Sequence, residues 1–179
     1  GGAFVFKQAS FTYPGAIVPA LTDLNFSIQR GESIGIVGRV GSGKSTLLKL
    51  CTRLLELNEG SVELDGVPID RYALAQLRSQ IAQVLQDPFL FGEPLSANIS
   101  YDDPERALDL IWDAADAAAL RETVLTFPEQ MSTLVGERGV TLSGGQKQRT
   151  TLARGLIRNA PVLILDDCFS AVDTETEEH

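Results

Sequence analysis

The segment GRVGSGKS, residues 38–45, has the spacing GxxxxGK[ST] of a loop that binds phosphate groups. Backbone N–H groups of such a loop point at the anion, and Gly41 and Gly43 let the backbone close around it without a Cβ clash. A helix that begins near Lys44 adds the positive end of its dipole. Lys44 then meets the β- and γ-phosphates, and the Ser45 hydroxyl becomes a Mg²⁺ ligand. The predicted phosphate-binding residues are Gly38, Arg39, Val40, Gly41, Ser42, Gly43, Lys44, Ser45 and Thr46.

An acidic residue, Asp166, follows the continuous apolar run Pro161–Leu165. Such a run predicts a strand buried on both faces of a parallel sheet. Open α/β sheets hold ligands at the carboxyl ends of their strands, and Mg²⁺ is bound by one or two carboxylates beside the phosphates. We therefore predict that Asp166 is the Walker-B metal ligand; the alternative is a solvated aspartate at a strand end.

A second anion site is predicted at the segment Ser143–Gln146. Ser143 can cap the helix that follows, leaving its hydroxyl and several backbone donors at a positive helix end. One phosphate-binding loop and one separate anion site on a single chain predict that two domains meet around the nucleotide. The alternative is an ordinary glycine-rich helix start.

The elements that position the phosphate-binding loop are predicted from apolar patterns. Ile34, Ile36 and Val37 predict a strand before the loop, and a leucine-rich segment predicts a helix after it. The first thirty residues alternate apolar and polar positions, which predicts short antiparallel strands. The pair Asp65-Gly66 predicts a hairpin with a type I′ turn.

The segment from about residue 95 to 130 is alanine-rich and predicts helices. Asp103 is a predicted N-cap with Pro104 at the first helical position. Leu108 and Ile111 would begin the apolar face of that helix.

The composition limits the class of protein. The chain has 179 residues, 44% of them apolar and 22% charged, with a net charge of −9. That charge argues against nucleic acid as a partner, because Lys and Arg contacts to phosphates drive such binding. No apolar run approaches the roughly 18 residues of a membrane span. Cys51 and Cys168 lie in unrelated apolar contexts, which indicates buried thiols in a reducing compartment.

Together these motifs resemble the nucleotide-binding domain of an ABC transporter, from Phe4 to about Asp173. The resemblance implies ATP and Mg²⁺ as cofactors. It implies that Tyr13 stacks on adenine, although a strand aromatic in a core is the alternative. Gln86 matches the Q-loop glutamine, which meets Mg²⁺ and the attacking water.

The resemblance also implies a dimer. Ser143, Gly144, Gly145 and Gln146 match the signature motif, which contacts the γ-phosphate bound to the partner domain's loop. Residues 170–173 match the D-loop at the dimer interface. Residues 133–139 resemble a segment typical of exporters, and Phe89-Leu90-Phe91 resembles the cleft that receives a coupling helix of a transmembrane domain. The alternative for these phenylalanines is the core of the helical part.

Asp167 stands where competent family members carry a catalytic glutamate. Its shorter side chain withdraws the carboxylate by about one bond, and a misplacement near 1 Å can lower a rate ~10²-fold. We therefore expect slow hydrolysis at this chain's own site, with Asp167, Gln86 and Lys44 as its catalytic residues. An intact signature beside a degenerate site favours a non-identical second nucleotide-binding domain; the rival is a homodimer that tolerates Asp167.

The expected fold is α/β, a P-loop NTPase (RecA-like) core with an antiparallel β-subdomain and an inserted α-helical subdomain. Residues 1–87 would hold the core and β-subdomain, 88–158 the helical subdomain with the signature, and 159–179 the Walker-B strand and D-loop. The C-terminal part of the core is expected to be missing. His179 is interpreted as solvated chain and not as the family's switch histidine.

The leading functional hypothesis is an ATPase module of a membrane exporter, at the cytoplasmic face of the membrane. One alternative is a regulatory module in which ATP joins an interface with negligible hydrolysis. Another is a soluble ABC ATPase of DNA repair or translation. The charge of −9, the exporter-like segment and the lack of a coiled-coil insertion argue against the latter.

Overall fold

A computed structural model of the chain describes residues 1–136 and 139–166, and the chain divides into two compact units, Gly1–Ile81 and Ala82–His179. The first unit contains β1 (Phe4–Phe11), β2 (Leu21–Ile28), α1 (Lys44–Cys51), β3 (Glu59–Leu64), β4 (Val67–Pro68) and α2 (Leu74–Ser79). Strand β5 (Ile81–Val84) begins at the boundary. The second unit continues with α3 (Leu95–Ile99), α4 (Leu108–Ala117), α5 (Arg121–Leu125), α6 (Gly144–Leu156) and β6 (Val162–Leu165).

An antiparallel sheet in the order β2-β1-β3-β4 organises the first unit. Alternate residues of β1, among them Phe4 and Phe6, are buried on one face. Phe6 stacks on Phe26 of β2 with ring centroids 4.4 Å apart. The predicted antiparallel strands are confirmed. The register shifts after Lys7, where Gln8 has φ of 50°, and this bulge lets β1 bend between two partners.

The predicted hairpin turn is confirmed between β3 and β4. Asp65 and Gly66 have φ of 51° and 77°, which is the pair of positive angles that a type I′ turn requires. The Asp65 carboxylate also accepts hydrogen bonds from the N–H groups of Gly2, at 2.8 Å, and Ala3, at 3.0 Å. The bond from Ala3 is the main cause of the lowered pKa of Asp65.

The prediction of a strand before the phosphate-binding loop is wrong. Residues 32–39 have no regular secondary structure, and Ile34, Ile36 and Val37 are 43%, 41% and 94% exposed. A strand persists when its backbone N–H and C=O groups pair with a neighbour. Both sheets among the described residues are built from β1 to β6 alone, so nothing pairs with this segment.

The second unit has a core formed mainly by residues of its helices, α6 among them. Its buried residues are Leu95, Ile99, Ile111, Ala114, Ala115, Ala118, Leu120, Val124, Met131, Val135, Leu142, Ala153 and Ile157. The predicted start of α4 is wrong, because the helix begins at Leu108, which is itself 55% exposed. Asp103 instead closes a turn: its Oδ1 accepts from the N–H of Glu105, at 3.2 Å.

Strand β6 confirms the strand predicted before Asp166 but corrects its burial. Ile164 is buried, whereas Leu163 and Leu165 are 41% and 40% exposed. Since successive side chains of a strand point to opposite faces, this pattern shows that the described residues cover only one face of β6. No helix within residues 1–136 and 139–166 combines the length and apolarity needed to cross a bilayer.

Two glycines with similar backbone angles give a test of the sheet. Gly60 and Gly66 have φ of 79° and 77°, but only at Gly60 would a Cβ collide with neighbouring atoms, the Gln8 carbonyl among them. We expect Gly66→Ala to lower the free energy of unfolding by about 1 kcal/mol through φ alone. Gly60→Ala adds the collision, for a total of about 2 to 4 kcal/mol. Urea unfolding of the purified variants measures both, and equal losses would contradict the close approach of β1 and β3.

Candidate nucleotide-binding site

The phosphate-binding loop ends in a helix whose N-terminus has no side-chain cap. Gly43 is the N-cap of α1 with φ of 91°, and no side chain bonds to the first N–H groups of the helix. A Cβ on Gly43 would lie 2.6 Å from the Ala20 carbonyl oxygen, so only glycine fits this place. Since a helix cannot satisfy its own first N–H groups, those of Lys44, Ser45 and Thr46 remain available to an anion.

Lys44 folds its ammonium over the loop. Its Nζ donates to the carbonyl oxygens of Gly38, at 2.8 Å, and Arg39, at 3.1 Å. The predicted helix start at Lys44 is confirmed, and Ser45 beside it is exposed. The loop thus presents a cation, a hydroxyl and unpaired backbone donors within a few residues. That donor set fits a polyphosphate with its Mg²⁺.

Tyr13 lies beside the same helix. Its hydroxyl is 3.0 Å from the Thr46 Oγ1, and its ring meets Phe11 edge to face at 4.8 Å. The residue is 39% exposed, so it is not a core aromatic. The structure brings Tyr13 and the phosphate-binding loop together within one unit, with part of the ring open to a ligand.

The signature segment begins α6 with a capping box. The Ser143 Oγ accepts from the N–H of Gln146 at 3.2 Å, and the Gln146 Oε1 accepts from the N–H of Ser143 at 2.9 Å. The predicted cap at Ser143 is confirmed. The box satisfies two donors only, so the N–H groups of Gly144 and Gly145 remain at the positive helix end.

Asp166 and the segment leading to Gln86 lie at the same end of the two-stranded sheet. The Asp166 N–H donates to the Val84 carbonyl oxygen at 3.0 Å. This bond places the end of β6 beside the end of β5, two residues before Gln86. Asp166 is half-buried and Gln86 is exposed. A carboxylate and an amide oxygen at one sheet end are hard ligands of the kind Mg²⁺ prefers.

Several predicted residues lie outside the described ranges. These are Asp167, Cys168, the D-loop residues 170–173 and His179, together with Glu137 and Arg138 of the exporter-like segment.

Three exposed or half-buried rings form what we call the aromatic platform: Phe89, Phe91 and Tyr101. Phe91 stacks on Tyr101 at 4.7 Å and meets Phe89 edge to face at 5.1 Å. Phe89 and Tyr101 are 65% and 60% exposed, whereas Leu90 between the phenylalanines packs on the helical core. The alternative, that these phenylalanines belong to the helical core, is therefore wrong for Phe89. Tyr101 was missed because nothing local in the sequence links it to Phe91.

The profile of the ABC transporter family matches residues 21–170. The chain belongs to this family. It is 43% identical over 177 residues to the ATP-dependent lipid A-core flippases of Escherichia coli K12 and Salmonella typhimurium LT2, which covers 98% of the chain and 30% of each relative. Its fold matches the solved structure of a bacterial Atm1-family ABC exporter with ATP bound, with a TM-score of 0.93 and 36% identity. That match covers 99% of the chain and 31% of the exporter chain.

These similarities confirm the resemblance inferred from the motifs. The chain has the mixed α/β fold, with its antiparallel sheet, of the nucleotide-binding domain of an exporter-type ABC transporter. It spans about a third of the length of the relatives it matches.

The thiol of Cys51 gives a test of how firmly α1 is held. Burial raises the pKa of this thiol from 9.0 to about 12. Because the thiolate is the nucleophile, we expect iodoacetamide at pH 8 to modify Cys51 at least about a hundredfold more slowly in the folded protein than in urea. The measurement uses a Cys168→Ala background. Rapid labelling without urea would contradict the burial of Cys51.

The same shift has a consequence for stability. When the pKa of a group is higher in the folded state, its contribution to stability is fully present at a pH below the pKa of the unfolded state. The contribution decreases as the pH rises above that value. The contribution of Cys51 is therefore lost as the pH rises from about 9 towards 12.

Proposed function

We propose that this chain binds MgATP and hydrolyses it as the ATPase domain that powers export across a membrane. The observation that carries the proposal is the uncapped start of α1, with the Lys44 ammonium folded over the loop before it. Backbone N–H groups and one lysine are the donors that hold β- and γ-phosphates in phosphoryl-transfer enzymes. The similarity to ATP-dependent flippases and to an ATP-bound exporter supports the same nucleotide.

The roles of the residues follow from phosphoryl-transfer chemistry, in which positioning and charge stabilisation supply most of the rate. Lys44 leaves the carbonyls of Gly38 and Arg39 and binds phosphate oxygens. Ser45, Asp166 and Gln86 would each supply an oxygen ligand to Mg²⁺, and the Gln86 amide would also orient the attacking water. When bound, the Mg²⁺ neutralises negative charge on the phosphates.

Tyr13 is proposed to stack on the adenine ring. Its hydroxyl bond to Thr46 holds the ring beside α1, and its exposed face supplies the aromatic surface. Stacking needs only a π-face, so the contact adds affinity for the base without reading its edge.

The domain is proposed to work as a head-to-tail dimer. Gly144 and Gly145 offer their N–H groups, and Ser143 and Gln146 their side chains, to the γ-phosphate on the partner's loop. The capping box that holds Ser143 and Gln146 supports a rigid arrangement of these donors before the partner arrives.

The aromatic platform is proposed to receive a coupling helix of a transmembrane domain, on the same polypeptide or on another, at the cytoplasmic face of the membrane. The exposure of Phe89 and Tyr101 supports a partner surface. The subdomain boundaries 1–87, 88–158 and 159–179 are likewise a proposal.

The site on this chain is proposed to hydrolyse slowly, because Asp167 replaces a glutamate and withdraws the base from the attacking water. The intact signature would then complete a competent site on a non-identical partner. A homodimer is the rival arrangement. A regulatory module with negligible hydrolysis is the second candidate function, and Asp167 is the observation that favours it.

Lysine exchange tests nucleotide binding directly. We expect Lys44→Ala to weaken MgATP at least about a hundredfold, since a charge-assisted contact to phosphate is lost. Lys49→Ala removes an exposed lysine in the last turn of the same helix and should change the Kd less than twofold. Titration calorimetry on both variants measures the Kd values. Unchanged affinity in Lys44→Ala would refute the proposed function.

The length of the acidic side chain at position 167 is testable separately. Asp167→Glu restores the reach of the carboxylate, so we expect single-turnover hydrolysis at this site to rise about ten- to hundredfold. Asp167→Asn serves as the control, because it keeps the shorter length and removes the base. No rise in Asp167→Glu would favour the regulatory module.

A further inference from the structure

A fully buried amide, Asn98, closes the loop that carries the aromatic platform. Its Oδ1 accepts from the N–H of Phe91 at 2.9 Å. Its Nδ2 donates to the carbonyl oxygens of Phe91, Glu93 and Pro94 at 3.1 to 3.3 Å. With 0% exposure, every polar atom of the side chain has a partner. Asn98 thus fixes residues 91–94 in one conformation.

Arg154, in the last turn of α6, joins this loop to the signature helix. Its Nε donates to the Asn98 carbonyl oxygen at 2.6 Å, its Nη2 to the Asn98 Oδ1 at 3.0 Å, and its Nη1 to the Phe89 carbonyl oxygen at 2.9 Å. The guanidinium carbon also lies 5.7 Å from the centroid of the Phe91 ring. One side chain therefore contacts the platform and the amide that fixes it.

The exporter-like segment is fastened to the same loop. The N–H of Leu95 donates to the Thr133 carbonyl oxygen at 2.9 Å, and that of Val135 donates to the Glu93 carbonyl oxygen at 3.1 Å. Gly136 has φ of 91°, and a Cβ there would lie 2.9 Å from the Phe91 carbonyl oxygen. The loop thus has little freedom to move independently of its neighbours.

Using the guanidinium of Arg154 to hold a loop costs free energy, because a charged group is removed from water. Burial lowers its pKa, and its described hydrogen-bond partners are neutral oxygens. Even buried ion pairs can often be replaced by apolar residues of similar volume without loss of stability. A planar fork, in contrast, fixes the direction of several bonds at once. We therefore infer that Arg154 serves to fix the orientation of its partners more than to stabilise the fold.

We propose that Arg154 is a positioning residue, which with Asn98 couples the aromatic platform to the signature motif through α6. The helix is continuous from Gly144 to Leu156, so Arg154 and Ser143 lie roughly 16 Å apart on one rigid rod. A displacement of the platform by its partner moves Arg154, and the helix carries that movement to Ser143 and Gln146. The inference rests on the proposed function.

The test uses the full-length protein with its partner domain in lipid nanodiscs. Arg154→Gln removes the fork, and Arg106→Gln is the matched control. Arg106 is also mostly buried, and it donates to the carbonyl oxygen of Ile157, the C-cap of α6, and to the Asp102 Oδ2, both at 2.9 Å. Its described bonds do not include the platform or Asn98. We measure the Kd for MgATP and the steady-state turnover of both variants.

We expect Arg154→Gln to lower turnover about tenfold while the Kd for MgATP stays within twofold. Both variants should lower the melting temperature by similar amounts. Arg106→Gln, however, should keep turnover within twofold. If Arg154 had a purely structural role, Arg154→Gln would lower the melting temperature, but it would not lower turnover selectively while the Kd for MgATP stayed unchanged. Equal turnover losses in the two variants would overturn the proposal.

A double-mutant cycle with Tyr101→Ala supplies the second readout. If Arg154 acts through the platform, the double variant should turn over no more slowly than the slower single variant, whereas multiplied losses would overturn the proposal. Arg154→Lys, which keeps the charge but not the fork, replaces Arg154→Gln if the latter does not fold. Absence of MgATP binding by the unmodified protein would refute the proposed function itself.

Discussion

The unpaired N–H groups at the start of α1 are the constraint on which the candidate site depends. A helix would ordinarily place Ser, Thr, Asp or Asn at its N-cap and satisfy one of these donors itself. Here Gly43 occupies the N-cap, and the nearby Ala20 carbonyl excludes any Cβ. The chain thus forgoes a cap worth about 1 kcal/mol and keeps its donors for an anion. Lys44, whose hydrogen bonds within the described residues go to loop carbonyls, adds a positive charge that can bind a phosphate.

The helix that carries the signature uses the opposite arrangement. Ser143 and Gln146 satisfy each other in a capping box, which fixes the first turn of α6 before any ligand is present. Its other end is held by Arg154 and Asn98. A helix that is fixed at both ends moves as one body, which the proposed coupling between the aromatic platform and the signature motif requires.

Features set by neighbouring residues could be predicted from the sequence, whereas features set by distant pairing could not. The turn at Asp65-Gly66 and the cap at Ser143 depend on three or four consecutive residues, and both predictions are confirmed. The prediction of a strand before the loop was wrong, because apolar residues such as Val37 form a strand only when a neighbouring strand pairs with their backbone. The contact between Arg154 and Asn98 spans 56 residues of sequence, and no short pattern indicates it.

The overall charge of the chain makes the local origin of the anion site clear. A net charge of −9 would repel a polyphosphate if the site depended on the mean field of the protein. At physiological ionic strength, however, exposed charges more than about 8 Å away are largely screened. The balance is then decided by the groups nearest the phosphates: the N–H donors of α1 and the Lys44 ammonium. Because these donors belong to the backbone and to one lysine, an acidic surface is compatible with a phosphate site.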